Sequence, residues 1–118
     1  ETAGIAEIET LFGQFVTSAA LTDMPKGCLI CSTSQDDVAA LPDVATRLDA
    51  FFDRIRAAHH NAITRATERG EITLTDADRH RRVDALFGAH VALCVLVRAG
   101  RPQDQLTHIA TQALDGLT

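Results

Sequence analysis

The sequence predicts an all-α fold of about five helices joined by short connectors. Three observations carry this. Apolar residues recur at helical spacing through almost all of the 118 residues. Prolines and glycines stand between the periodic segments rather than inside them. No segment alternates with a strand period over a useful length: "EITLT" (71–75) does so briefly, and nothing else could pair with it. The length, with 46% hydrophobic and 23% charged residues, suits a single domain spanning 1–118 with a core of its own.

The first predicted helix covers about Gly4 to Ala20, because Ile5, Ile8, Phe12, Phe15, Val16 and Ala19 fall on one stripe with Leu11 at its edge. Pro25 and Gly27 punctuate the next segment, and a shorter helix is expected from Gly27 to Leu41. Pro42 suits the first turn of a long third helix, Pro42 to Arg69. Its inner stripe is Val44, Leu48, Phe52, Ile55, His59, Ala62 and Ala66, widened by Phe51, Ala58 and Ile63, and Gly70 stops it. Thr75 and Asp78 have the spacing of a capping box for a fourth helix, Asp76 to Ala99, with Gly100 as its stop. Pro102 opens the last helix, whose apolar face is Leu106, Ile109, Ala110, Ala113, Leu114 and Leu117.

Composition also excludes classes. The net charge of −5 gives no overall attraction to nucleic acid. The basic run "DRHRR" (78–82) is short, and reads as a solvated helix face. No apolar stretch reaches the roughly 18 residues of a membrane span, and no secretory leader is visible. Three cysteines do not form a disulfide framework in a domain of this size, and a reducing cytoplasm is the expected setting. The chain opens on Glu1 rather than Met, which reads as a piece of something longer.

The fourth helix differs from the rest. "ALFGAHVALCVLV" (85–97) is apolar on every side and needs cover on every side. Val83, Leu86, Phe87, His90, Cys94 and Val97 suit the domain's own core. The opposite face, Ala85, Ala89, Ala92 and Leu96, is mostly small and lets another helix approach closely. A second copy of the chain is the simplest cover. With Leu106, Ile109, Ala113 and Leu117 of the last helix alongside, two copies would form a four-helix interface.

Two histidines, His59 and His90, lie on inner faces of the third and fourth helices. Either is readable as an ordinary core residue. Together they could orient a ligand in an apolar pocket lined by Phe12, Phe15, Phe52, Ile55, Phe87 and Cys94. Cys28-Leu29-Ile30-Cys31 is a CxxC at a helix N-terminus, where a thiol pKa can fall. It reads as the buried start of a pocket-forming helix, with Cys28 toward the ligand, or alternatively as a thiol sensor. No second CxxC and no HxxxH accompanies it, so no metal and no cofactor is expected.

Taken in order, several segments resemble the C-terminal ligand-binding and dimerisation domain of TetR-family transcriptional regulators. They are "GCL" (27–29), "LPDVATRLDAFFDRIRAAHHNAITRATERGEI" (41–72) with its closing A-x-x-x-G-E, "ALCVLVRAG" (92–100) and "QLTHIATQALDGL" (105–117). Ala92 stands where glycine is usual in that family. The resemblance implies a homodimer in which a small apolar effector alters the grip on operator DNA. The contact with DNA would run through an N-terminal helix-turn-helix domain that this sequence does not contain. Two alternatives stay open: a thiol-based redox or electrophile sensor on the same fold, and a small helical CxxC oxidoreductase. The helical alkylhydroperoxidase D-like proteins place a glutamate upstream of their CxxC and a histidine after it. Pro25 and Gln35 occupy those positions here, and a thiol without its base is a poor catalyst. No enzymatic activity is therefore expected.

Overall fold

A computed structural model describes residues 4–18 and 40–117. These form four α-helices: α1 (Ile5–Ser18), α2 (Pro42–Glu68), α3 (Asp76–Arg98) and α4 (Gln103–Leu114). They match the first, third, fourth and fifth predicted helices, and the fold is all-α. The expected helix over 27–41 falls almost entirely outside the described residues, and so do Cys28 and Cys31.

The corners explain why the boundaries were legible. Gly70 has φ +75° and Gly100 φ +73°, a conformation that a side chain disfavours. The Gly70 N–H donates to the Thr67 carbonyl at 3.1 Å and the Glu71 N–H to the Ala66 carbonyl at 2.9 Å. The Gly100 and Arg101 N–H groups repeat this on Val97 and Leu96, each at 3.1 Å. Both corners thus satisfy the last helical carbonyls by the Schellman pattern. At the start of α3 the Thr75 hydroxyl accepts the Asp78 N–H at 3.1 Å and donates to the Asp78 carboxylate at 2.9 Å. The acid does not reach back to the Thr75 N–H; it takes the hydroxyl and the Arg81 guanidinium instead.

The A-x-x-x-G-E sequence (66–71) reaches beyond its own turn. Ala66 is fully buried, Gly70 makes the turn, and the Glu71 carboxylate accepts the Ile5 N–H at 3.3 Å. Glu7 accepts the Gly4 N–H at 2.8 Å. Two carboxylates therefore satisfy orphan donors at the start of α1 and complement its dipole. Gly4 fits here because a Cβ would lie 3.2 Å from the Arg69 guanidinium and the Glu71 carboxylate.

α1 packs against α2, α3 and α4, while α2 packs on α3 and α3 on α4. Phe12, Ile63, Leu86, Leu93, Leu106 and Leu117 are fully buried at the centre, each worth about 1.5–3 kcal/mol of burial. The expected inner stripes of α1 and α2 hold in part: Ile5, Ile8, Phe12, Leu48, His59, Ala62, Ile63 and Ala66 are buried, Phe15, Val16, Val44, Phe51, Phe52 and Ile55 are half-buried, Ala58 is exposed at the stripe's edge, and Ala19 lies outside the described residues. Leu93 was not expected in the core. In a helix apolar all round, no periodic signal ranks one face above another.

Ala85 is exposed in the single chain, and Ala89, Ala92, Leu96, Ile109 and Ala113 are half-buried. Leu106 and Leu117 instead turn into the chain's own core and stand behind this face rather than on it. The run 78–82 is also not uniformly solvated. His80 and Arg81 are exposed, but Arg82 is half-buried and its guanidinium donates to the Ala113 and Asp115 carbonyls. It closes the C-terminal end of α4, where carbonyls lack helical partners.

Candidate functional site

His59 sits on the buried stripe of α2, two turns beyond Phe52. His90 sits on α3 one turn before Cys94. The α2–α3 packing brings the two imidazoles together, with His59 Nε2 3.0 Å from His90 Nδ1 and the rings nearly perpendicular at 86°. One ring donates and the other accepts, so the pair is bonded only while at least one ring is neutral. α1 closes the arrangement with aromatic edges: Phe12 meets His59 with centroids 6.1 Å apart, and Phe15 meets His90 at 5.2 Å.

His59 is 3% exposed. Burial, reinforced by the neighbouring His90, pushes its pKa down to about 4. Burial also lowers the pKa of His90. Both rings are therefore neutral near pH 7, as desolvation of a cation requires.

A cavity of about 310 Å³ opens against this pair. α1 contributes Ile8 and Leu11, α2 contributes Ile55, Ala58 and Ala62, and both histidines line it. Glu7 and Arg54, exposed side chains on α1 and α2, complete the lining. The walls are apolar, the two imidazoles are convergent polar groups, and the volume falls at the small end of ligand pockets. The small side chains of Ala58 and Ala62 leave the space that a larger residue would fill.

Of the residues expected to meet a ligand, Ile55, His59 and His90 line this cavity, and Phe12 and Phe15 support its histidines. Phe52 and Phe87 face each other at 6.0 Å elsewhere. They line a second hollow of about 490 Å³ with Asp53, Arg56, Gly88 and Val91. Phe52 lies two turns of α2 before His59, and neither Phe52 nor Phe87 lines the cavity beside the histidines. Cys94 is 2% exposed and lines neither space. Cys28 lies outside the described residues. Glu7, Ile8, Leu11, Arg54, Ala58 and Ala62 were not anticipated as lining. An alanine that leaves space and a charged residue that lends only its stem carry no signal of a cavity in the sequence.

Among the described residues, no group of three or more His, Cys, Asp or Glu side chains could hold a metal ion. Among the same residues, no helix is long and apolar enough to cross a membrane.

The family model described as the tetracyclin repressor-like C-terminal domain matches residues 4–113. No curated protein and no solved structure shows significant similarity to the chain.

Proposed function

The chain belongs to the tetracyclin repressor-like C-terminal domain family, and on that premise we propose that it is the ligand-sensing and dimerising part of a cytoplasmic transcriptional regulator. The observation that carries the ligand-sensing half is the cavity of about 310 Å³ with a buried histidine pair in its wall. A small, largely apolar effector would enter between α1, α2 and α3. It acts by binding one arrangement of these helices better than another, and shifts the population by that difference in affinity.

The dimerising half is supported by the face of α3 and α4 that carries Ala85, Ala89, Ala92, Leu96, Ile109 and Ala113. Exposed or half-buried small and apolar residues there suit close helix–helix contact across a two-fold axis. Helix-turn-helix dimers read half-sites about 34–36 Å apart. A ligand-driven change in the relative position of two such domains would then weaken the hold on operator DNA.

A panel of small neutral alcohols, ketones and amides tests the cavity, followed through the methyl resonances of Ile8, Leu11 and Ile55. Binding is expected to perturb those methyls, and to be lost in Ala58→Trp, which fills the space from an exposed position. Binding that persists unchanged in Ala58→Trp would place the effector elsewhere and overturn the assignment.

A further inference from the structure

The residues around the cavity beside the histidine pair also fix its shape. α2 contributes Arg54, Ile55, Ala58, His59 and Ala62. That spacing keeps to one side of a helix and spans about 12 Å along its axis. α1 runs antiparallel beside it. The start of α1 meets the far end of α2, where Gly4 lies against Arg69 and the Ile5 N–H reaches Glu71; further along, Phe12 has come back to the level of His59. Ile8 and Leu11 therefore line the cavity lengthwise rather than across one end. Spread over that length, about 310 Å³ leaves a mean cross-section of about 25 Å². The cavity is a slot, wide enough for one alkyl chain and too narrow for a globular hydrocarbon.

Two of the lining residues are alanines. The backbone of a helix lies behind its side chains, and an alanine has no side-chain atom beyond Cβ, so an alanine that lines a cavity does so with Cβ itself. Ala62 is 3% exposed and lies at depth with Ile8 and His59, which are buried as well. Ala58, one turn earlier, is exposed and lies at the mouth. A heavier side chain at either position projects into the slot, and the other lining residues of α2 are all larger.

Resting on the ligand-binding reading above, we propose that the cavity selects a slender apolar ligand, an unbranched chain lying along α2, and that Ala62 and Ala58 set the width it accepts. A chain in this pose keeps dispersion contacts with both helices over its whole length. A globular ligand of the same carbon count must push the helices apart, which a close-packed interior resists, or leave part of its surface in water. The exposed Arg54 stands at one end of the slot and the exposed Glu7 toward the other, so a polar end group on the chain reaches water at either end.

Octan-1-ol and cyclooctanol test the proposal, for they share a carbon count and a single hydroxyl and differ in girth. Titrations followed through the methyl resonances of Ile8, Leu11 and Ile55 give both affinities. The change in their ratio between variants cancels the difference in hydrophobicity of the two alcohols. Octan-1-ol is expected to bind at least about tenfold tighter than cyclooctanol. Ala62→Gly removes the Cβ and should bring that ratio to about threefold or less by admitting the ring. Ala58→Val, at an exposed position, narrows the slot and should weaken octan-1-ol at least about tenfold. Circular dichroism checks that each variant keeps its helical content; should Ala62→Gly unfold, Ala58→Val carries the test alone. Cyclooctanol bound as tightly as octan-1-ol by the unsubstituted chain overturns the slot and leaves the cavity assignment standing. A preference that neither substitution changes overturns the role of the alanines. If neither alcohol perturbs the cavity methyls, the cavity assignment falls and the width proposal with it.

Discussion

Acidification should destabilise this domain through His59 before Glu7, Asp78 and Asp84 give up their contributions. An unfolded histidine takes up a proton near pH 6.5, whereas folded His59 does so only near pH 4. Between these values the unfolded state binds more protons, so stability rises with pH across the window and is lost as pH falls through it. The gap of about 2.5 pH units, at about 1.36 kcal/mol each, makes about 3 kcal/mol. His90, lowered by burial as well, acts in the same direction. Glu7, Asp78 and Asp84 have lowered pKa values through hydrogen bonds to the Gly4 N–H, Arg81 and Arg56. Their contributions are present above the ordinary carboxylate range and disappear only below it, so the two windows separate. The chain has no Trp and no Tyr, which makes far-UV circular dichroism the natural probe. Urea unfolding at several pH values between about 4.5 and 7.5 should give a loss of about 2–3 kcal/mol on acidification, a large part of a domain's usual stability. In His59→Leu the same span should cost about 2 kcal/mol less. Equal pH slopes in the two proteins would refute the reasoning, because they would place the acid sensitivity outside the pair.

Other consequences are equally direct. Gly70→Ala and Gly100→Ala each force a Cβ into a left-handed conformation with open space around it, so each should cost about 1 kcal/mol in urea unfolding. A cost near zero would contradict the corner geometry. Glu71→Ala should lower stability by about 1 kcal/mol by uncapping α1, with the earliest amides of α1 losing hydrogen-exchange protection first; unchanged protection at Ile5 would count against the cap. Ala85→Arg changes a residue exposed in the single chain. It should leave the helical content and unfolding midpoint of the monomer intact while sedimentation shows dimer dissociation. A dimer that survives it would move the interface off this face of α3.

What the sequence revealed follows from which signals are local. Pro42, Gly70, Thr75 and Gly100 act within a turn of themselves, and the observed ends of α2 and α3 lie within a residue of the expected ones. The stripes of α1 and α2 were readable because polar residues interrupt them with a helical period. α3 lacks that contrast in its second half, and there Leu93 escaped notice. The convergence of His59 and His90 was legible as two inward-facing positions; their 3.0 Å bond depends on the crossing of two helices. The cavity was legible only in part: Ile55, His59 and His90 were expected in it, whereas Ala58 and Ala62 mark it by atoms they lack. Arg82 looked like one charge among several, since its partners at Ala113 and Asp115 lie more than thirty residues away.

The bond between His59 and His90 also makes one heritable character of two codons. A change at position 59 alone strands a nitrogen of His90 in a desolvated site, and a change at 90 alone does the same to His59. Each single step costs more than the double replacement by apolar residues of similar size, because a lone buried polar group forfeits its hydration with nothing in return. Lineages carrying this pair should therefore keep both imidazoles or lose both, and a descendant that exchanged them for two leucines would keep its helices.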